Sequence, residues 1–218
     1  MIEAERIFEA REALAEGLAR DVGDELARAI EAKGKATLAV SGGTTPKLFF
    51  EKLSQIDIAW PRVSVTLVDE RQVPETSERS NARLVRQHLL QNKAAAARFV
   101  PLVGNPDAEK IPAFDVAVLG MGNDGHTASF FPGGDTLSEA IDGGTAKRLI
   151  AITAPGAGEP RLTFTLPVLK SAGRLALHIE GDEKKQVLKQ ALAAGPEADM
   201  PVRAVLRSAA PVTLYWCP

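Results

Sequence analysis

Apolar residues recur at two different spacings along the chain, and each spacing predicts one kind of element. Near the N-terminus they lie about four positions apart, which places them on one face of a helix: Ile7, Leu14, Leu18, Val22, Leu26 and Ile30. Gly34 follows this stripe, and glycine readily adopts the left-handed conformation in which many helices end. We therefore expect an amphipathic helix that ends at Gly34.

Short runs of β-branched and aliphatic residues, bounded by Gly, Pro or Asp, predict strands farther along the chain. These runs are ATLAV (36–40), VSVTLV (63–68), FDVAVL (114–119), RLIAIT (148–153), RLALHI (174–179) and PVTLYW (211–216). Helical patterns lie between several of them, notably at 45–54, 80–91 and 183–193. This alternation predicts an α/β, Rossmann-like fold: a mostly parallel twisted sheet with helices on both faces. No linker divides the chain, so we expect residues 1–218 to form one domain.

The charge and cysteine content of the chain indicate which partners it is not expected to bind and in which cell compartment it is expected. With 26 basic and 28 acidic side chains, the net charge of -2 gives no reason to expect nucleic acid or a membrane as partner. Cys217 is the one cysteine and can close no internal disulfide, which suits a reducing compartment. The N-terminal segment lacks the apolar core of a signal peptide, and no apolar run is long enough for a membrane helix. We expect a cytoplasmic monomer.

The first predicted strand ends in the sequence SGGTTP. In doubly wound α/β folds the ligand lies outside the carboxyl ends of the strands, so residues that follow a strand are the best candidates for function. Gly42 and Gly43 allow a tight turn with exposed amides, and Thr44 begins the approach to a helix whose N-terminus would favour a phosphate. A plain strand-to-helix turn is the alternative. Walker A spacing is absent, so a nucleoside triphosphate is not indicated.

The second predicted strand ends in DERQVP, where three charged residues leave the strand together. One interpretation is a solvated turn. The other brings Asp69 and Arg71 into the ligand cleft, Asp69 to position a reactant and Arg71 to stabilise developing negative charge. Farther on, Ser80 or Asn81 is expected to cap a helix. His88, inside that helix, is expected to be structural or exposed.

The third strand end contains a G-x-G-x-x-G motif formed by Gly120, Gly122 and Gly125. This motif after a strand is typical of dinucleotide binding. A dinucleotide fold also needs a long helix after the third glycine, but residues 132–134 are Pro-Gly-Gly. The next strand ends in Thr153, where an acidic residue would bind the ribose. The sequence therefore argues against NAD.

The same loop presents Asp124 and His126, two residues apart. Histidine has the unperturbed pKa nearest neutrality and can act as a general base or acid. A hydrogen-bonded packing histidine is the alternative interpretation. The neighbouring acid and the glycine-rich turn at a strand end favour a functional role for the pair.

The remaining strand ends supply cations. The loop APGAGEPR delivers Arg161 just ahead of a predicted apolar helix, and Lys184 and Lys185 fall in the first turn of another. The helix dipole disfavours a cation in a first turn, so a lysine there either pairs with an acid or faces an anion. His178 alternates with apolar neighbours in its strand and is interpreted as a packing residue.

Five segments in chain order resemble the 6-phosphogluconolactonase family over nearly the whole chain: SGGTTP, DERQVP with SNARL, LGMGNDGHTASFFP, PRLTFTLPVL and GDEKKQVL. The resemblance implies hydrolysis of 6-phospho-D-glucono-1,5-lactone to 6-phosphogluconate, the second step of the oxidative pentose phosphate pathway. It also implies no metal and no organic cofactor. The lactonases typically have a lysine and several prolines ahead of the arginine, where this chain has APGAGEPR.

A mechanism follows as a hypothesis from these residues. The substrate phosphate would lie on the backbone of Gly42, Gly43 and Thr44, with charge supplied by Arg161 and Lys184.

His126 would take a proton from the water that attacks C1 and return it to the ring oxygen. Asp124 would orient His126 or hold the lactone hydroxyls, and Arg71 would stabilise the tetrahedral oxyanion. Ser41 and Ser129 lie in no G-x-S-x-G elbow, so no covalent intermediate is expected.

The sequence leaves two alternative functions to weigh against lactone hydrolysis. Glucosamine-6-phosphate deaminases are related, but they carry a glutamate that assists ring opening directly before the proline, where this chain has Phe131 before Pro132. A phenyl ring cannot move a proton. A sugar-phosphate sensor without catalysis would resemble bacterial regulators, but the sequence contains no helix-turn-helix pattern or basic patch.

Overall fold

Seven strands form the central sheet of the protein, described here by a computed structural model of residues 1–218. Their spatial order is β1 (Ile2–Ile7), β10 (Val212–Cys217), β9 (Arg174–Glu180), β6 (Val116–Leu119), β2 (Ala36–Val40), β3 (Val63–Leu67) and β5 (Arg98–Val100). Every neighbouring pair is parallel. The prediction of a mostly parallel α/β fold is confirmed.

The central strands are apolar because helices cover the sheet. All five residues of β2 are buried, as expected for a parallel strand with both faces covered. The helices around the sheet are α1 (Arg11–Lys33), α2 (Lys47–Leu53), α3 (Asn81–His88), α4 (Leu137–Ala140), α5 (Leu166–Lys170), α6 (Asp182–Leu192) and α7 (Val202–Arg207). Helix α1 packs on α2 and on β2, while α6 packs on β9 and α7. None of these helices combines the length and apolar character needed to cross a bilayer.

Helix α1 follows the predicted stripe closely. Its buried residues include Leu14, Leu18, Val22 and Leu26, and the helix ends at Gly34 with φ 77°. Ile7 does not belong to it: this residue ends β1 and is largely exposed. Strand β1 was not predicted, because five of its six residues are exposed and an edge strand of that kind has no apolar alternation.

A second, three-stranded sheet corrects the predicted topology. Strand β7 (Leu149–Ile152) pairs antiparallel with β8 (Arg161–Phe164), which pairs antiparallel with β4 (Asp69–Arg71). The run 148–153 was predicted correctly as a strand but wrongly as part of the main sheet. Residues 161–164 were expected to lie just before or within a helix and instead form β8, so only 166–170 are helical.

This small sheet brings distant charged residues together. In the β4–β8 pairing Arg71 lies opposite Arg161, and Asp69 lies opposite Thr163. Asp69 is buried rather than part of a solvated turn. The carboxyl ends of β2, β6 and β9 open beside the small sheet, and the candidate site lies there.

Candidate active site

A cleft of about 230 Å³ opens at the carboxyl ends of β2, β6 and β9. Eight of the nine residues predicted from the sequence line it: Gly42, Gly43, Thr44, Asp69, Arg71, His126, Arg161 and Lys184. Asp124 does not line the cleft but contacts His126, which does. The rule that function follows strand ends therefore gathers these residues in one place.

His126 and Asp124 form a close pair. The imidazole Nδ1 lies 2.5 Å from Asp124 Oδ1, and the same carboxylate oxygen accepts a hydrogen bond from the His126 backbone N–H at 3.1 Å. Burial alone would raise the pKa of Asp124, but the hydrogen bonds and charge of His126 outweigh burial and hold that pKa below its ordinary value. An ionised carboxylate only accepts hydrogen bonds, so Nδ1 carries the hydrogen and Nε2 is left able to accept a proton.

Glycines in the G-x-G-x-x-G motif make room for this pair. A Cβ on Gly122 would lie 2.1 Å from His126 Nδ1 and 2.5 Å from Asp124 Oδ1. Gly125 has φ 78°, and a Cβ there would lie 2.8 Å from the Met200 Cβ. No helix begins directly after Gly125: the next helix along the chain is the short α4, which begins at Leu137. In this fold the motif shapes a tight loop around an acid–histidine pair.

Arg161 is held firmly, although no carboxylate forms a close ion pair with its guanidinium. The residue is only 6% exposed, and its Nη2 donates to the Ala157 carbonyl oxygen. Its nearest carboxylates are distant, with Nη1 3.8 Å from Asp69 Oδ2 and Nη2 3.9 Å from Glu159 Oε2, and Nε has no hydrogen-bond partner. Burial lowers the pKa of the guanidinium, and Asp69 opposes that shift. The loop, which lacks the lysine typical of the family, thus still fixes its arginine.

Asp69 is part of a buried polar network. Its Oδ2 accepts a hydrogen bond of 2.5 Å from the Ser129 hydroxyl, and its backbone carbonyl accepts one of 2.9 Å from Asn81 Nδ2. Arg71 donates from Nη1 to the Arg79 carbonyl, while its Nε is buried without a partner. Asp69 therefore contacts protein groups closely, and Arg71 lines the cleft beside it.

Glu70 does not line the cleft; its carboxylate accepts hydrogen bonds from groups at the start of α3. Its carboxylate accepts hydrogen bonds from the backbone N–H groups of Arg71, Asn81 and Ala82 and from the Ser80 hydroxyl. Burial raises the pKa of Glu70, and these hydrogen bonds oppose the rise. Ser80 is the N-cap of α3, as expected, and its hydroxyl accepts from Arg83 N at 3.2 Å.

The glycine-rich loop after β2 lies close against the Asn81 side chain. A Cβ on Gly42 would lie 1.8 Å from Asn81 Oδ1, so no other residue fits there without displacing Asn81. Gly43 has φ 96°, a conformation that L side chains rarely adopt. The Ser41 hydroxyl accepts from the Gly120 N–H at 3.2 Å and ties this loop to the end of β6.

Lys184 and Lys185 have different surroundings. Lys184 lines the cleft, where its Nζ donates to the Met121 carbonyl oxygen at 2.5 Å and forms no ion pair. Burial lowers the pKa of the Lys184 ammonium, opposed by the charges of Asp124 and Glu183. Lys185 lies outside the cleft. Of the two expected cations, only Lys184 faces the site.

Sequence reasoning missed several residues of the cleft. Asn81, Met121, His178 and Glu180 also line it. His178 is buried, as expected of a packing residue, but its Nε2 lies 3.1 Å from Glu180 Oε1. Glu180 ends β9 directly before Gly181, so the strand-end rule would have found it. No cluster of three or more His, Cys, Asp or Glu side chains is arranged to hold a metal ion.

Comparison with known proteins finds relatives over nearly the whole chain. Residues 9–216 match the family described as glucosamine-6-phosphate isomerases/6-phosphogluconolactonase. Proteins named 6-phosphogluconolactonase from Rhizobium meliloti (strain 1021) and Mesorhizobium japonicum are 56% and 52% identical. Those matches cover 97% of this chain, and 97% and 94% of the two relatives.

The fold has solved counterparts of the same size. The crystal structure of a 6-phosphogluconolactonase from Shewanella baltica OS155 is similar over 100% of both chains, with a TM-score of 0.93 and 38% identity. From the sequence match, the full-length identities and the shared fold, the chain belongs to the glucosamine-6-phosphate isomerase/6-phosphogluconolactonase family.

Proposed function

We propose that this protein hydrolyses 6-phospho-D-glucono-1,5-lactone to 6-phospho-D-gluconate by direct attack of water. The proposal rests on one observation: an imidazole with a free Nε2 opens into the same cleft as Arg71, Arg161 and Lys184. The relatives that are 56% and 52% identical carry the name of this activity. The reaction needs a base beside a carbonyl and an anion site for the phosphate, and the cleft offers groups for both tasks.

The phosphate group anchors a substrate whose lactone ring carries no charge. The amides of Gly42, Gly43 and Thr44 are the neutral donors, and Arg161 and Lys184 supply positive charge. Arg161 is suited to this role because its distances to carboxylates, 3.8 and 3.9 Å, leave its charge without a tight partner. Charge-assisted hydrogen bonds are about twice as strong as neutral ones, so these two cations contribute much of the affinity.

Asp69 assists binding through Arg161. Its carboxylate is already hydrogen-bonded to the Ser129 hydroxyl and faces the guanidinium. It therefore orients the arginine, which in turn binds the phosphate, and has no need to contact the lactone itself. This refines the expectation that Asp69 positions a reactant.

Catalysis begins when His126 Nε2 accepts a proton from the water whose oxygen bonds to C1. The carbonyl becomes a tetrahedral oxyanion, and as the bond from C1 to the ring oxygen breaks, the imidazolium returns the proton to that oxygen. Asp124 holds the Nδ1 hydrogen and stabilises the imidazolium between the two transfers. General-base assistance of this kind contributes about 10²- to 10⁴-fold in rate.

Arg71 stabilises the oxyanion. It is half-buried and lines the cleft, and the hydrogen bond from its Nη1 to the Arg79 carbonyl oxygen holds the guanidinium in place. Stabilising such an oxyanion is worth roughly 3 to 4 kcal/mol. Together with the general base this is enough for a lactone, because such an ester already hydrolyses in water without an enzyme.

The deaminase reaction is not supported, because the cleft has no carboxylate at the position of the glutamate that assists ring opening in the related deaminases. At the position where the related deaminases carry a glutamate, Phe131 packs against His126 instead of offering a carboxylate. No observation on the cleft favours deamination over hydrolysis.

A coupled assay tests the proposal. Glucose-6-phosphate dehydrogenase generates the lactone, and its disappearance is followed with and without the protein. We expect disappearance well above the spontaneous rate, and the increase should scale with protein concentration. A rate equal to the spontaneous one would contradict the proposed lactonase activity.

A further inference from the structure

Phe131 contacts both a candidate catalytic side chain and a candidate phosphate ligand. Its ring is stacked on the His126 imidazole, with centroids 4.1 Å apart and planes 27° apart. The Arg161 Cζ lies 5.2 Å from the centroid of the same ring. Phe131 itself is only 3% exposed and does not line the cleft. One buried ring thus supports two side chains that face the ligand.

The ring is fixed by its own surroundings. Phe131 forms a small apolar cluster with Ala154 and Ala157, separate from the main core. The backbone at Ala157 also accepts a hydrogen bond from Arg161 Nη2. Loop 154–157 therefore packs on the ring and binds the guanidinium at the same time.

His126 needs a second constraint besides Asp124. The hydrogen bond to Asp124 Oδ1 fixes one edge of the imidazole but permits rotation of the ring plane about that contact. A stacked aromatic face restricts that rotation and so determines where Nε2 points. The negative face of a phenyl ring also attracts a guanidinium and an imidazolium, most strongly when the cation is desolvated.

We propose that Phe131 is a positioning residue that fixes the imidazole plane of His126 and the guanidinium of Arg161 in one common geometry. The proposal deepens the function assigned to the cleft and rests on it. Phe131 touches no substrate atom and moves no proton. It aims Nε2 at C1 while the phosphate is held by Arg161, so a change at this ring alters both turnover and binding.

The test compares Phe131→Leu with Phe114→Leu. Phe114 is equally buried and packs edge-on against Phe164, with ring centroids 5.1 Å apart, in the main core away from the cleft. Both variants lose a buried ring, so both lower Tm. We expect Phe131→Leu to reduce kcat at least about tenfold and to raise KM, since small misplacements of a catalytic group are costly, while Phe114→Leu keeps both within about twofold.

Phe131→Tyr provides a rescue, because it retains the ring and is expected to keep most of the turnover. If the leucine variant does not fold, Phe131→Met, which fills the space without a ring, is compared with Phe131→Tyr in the same way.

A second readout does not depend on activity. In crystal structures without substrate, the His126 imidazole should have one orientation in the native protein and should be rotated about its contact with Asp124, or occupy several orientations, in Phe131→Leu. A native-like imidazole orientation together with kcat within twofold would overturn the inference. If the native protein lacked lactonase activity, the proposed function would fail, and the imidazole orientation would still decide whether Phe131 positions His126.

Discussion

Lys184 and Lys185 are neighbours in the first turn of α6, but they face different parts of the molecule. The Lys184 Nζ is 2.5 Å from the Met121 carbonyl oxygen at the cleft, whereas the Lys185 Nζ lies 3.6 Å from the centroid of the Trp216 ring. A cation near the positive end of a helix dipole needs a compensating interaction. For Lys185 this interaction is the cation–π contact with the Trp216 ring. Lys184 has only the hydrogen bond to the Met121 carbonyl oxygen and can also bind an anion in the cleft.

We therefore expect Lys184→Met and Lys185→Met to differ although they are the same change at adjacent positions. Lys184→Met should raise KM about tenfold or more, because a hydrogen bond to a charged group contributes about 1.5–3 kcal/mol. Lys185→Met should leave KM and kcat within about twofold and lower Tm slightly through the lost cation–π contact. Steady-state kinetics of both variants decide this. Equal effects on KM would remove Lys184 from the phosphate site.

His126→Ala tests the general base. We expect kcat to fall at least about a hundredfold with KM within a few-fold, since the imidazole acts on water rather than on substrate binding. His88→Ala is the control: His88 lies in α3 with Nδ1 2.9 Å from Glu51 Oε1, and its loss should not change kcat. A near-normal rate for His126→Ala would exclude this residue from the chemistry.

The G-x-G-x-x-G segment illustrates how far sequence reasoning reached. The absence of a following helix was visible in Pro132–Gly134, so dinucleotide binding was rejected from the sequence. The reason for Gly122 was not visible, because it depends on where His126 Nδ1 lies in space. Local spacing predicts elements and strand ends, while close approach between side chains requires the folded loop.

The small sheet marks the limit of that reasoning. Strand β4 has three residues and β8 four, too few for a periodic pattern, and they pair across a long stretch of sequence. Asp69 could be placed at a strand end, but not opposite β8 and beside Arg161. In the sequence, Phe131 is informative only because it stands where the related deaminases have a glutamate. Its contacts with His126 and Arg161 depend on tertiary packing.

Gly122→Ala is expected to impair catalysis through steric displacement. A Cβ at this position would lie 2.1 Å from His126 Nδ1, so the imidazole and Asp124 must shift together. We expect kcat to fall at least about tenfold, because a misplacement of about 1 Å at a catalytic group can cost up to 10²-fold. Gly143→Ala, where the nearest atom is Lys170 Nζ at 3.4 Å in an exposed loop, should behave like the native protein in the same assay. Similar kinetics for both variants would contradict the close packing.

The lowered pKa of Asp124 predicts that the stability of the folded protein decreases in acid. Its pKa lies below the ordinary value of 3.8, because the hydrogen bonds and charge of His126 outweigh its burial. A lowered pKa in the folded state adds stability that is present above the unfolded value and is lost as the pH falls through the folded value. We expect the Tm of the native protein to fall more steeply below about pH 4 than that of Asp124→Asn. Thermal melts across this range check the sign, and parallel pH curves would contradict it.

Arg161→Lys separates the geometry of the arginine from its charge. Lysine keeps the positive charge but loses the planar fork that binds phosphate through two parallel hydrogen bonds. We expect KM to rise about tenfold or more, with a smaller change in kcat, because the phosphate of the proposed substrate is attached to C6 and not to C1, where the reaction takes place. Arg203→Lys is the matched control, since Arg203 is also buried but donates to the carbonyl oxygens of Gln190, Ala191 and Pro196 outside the cleft. It should lower Tm and leave KM unchanged. An unchanged KM in Arg161→Lys would place the phosphate elsewhere in the cleft.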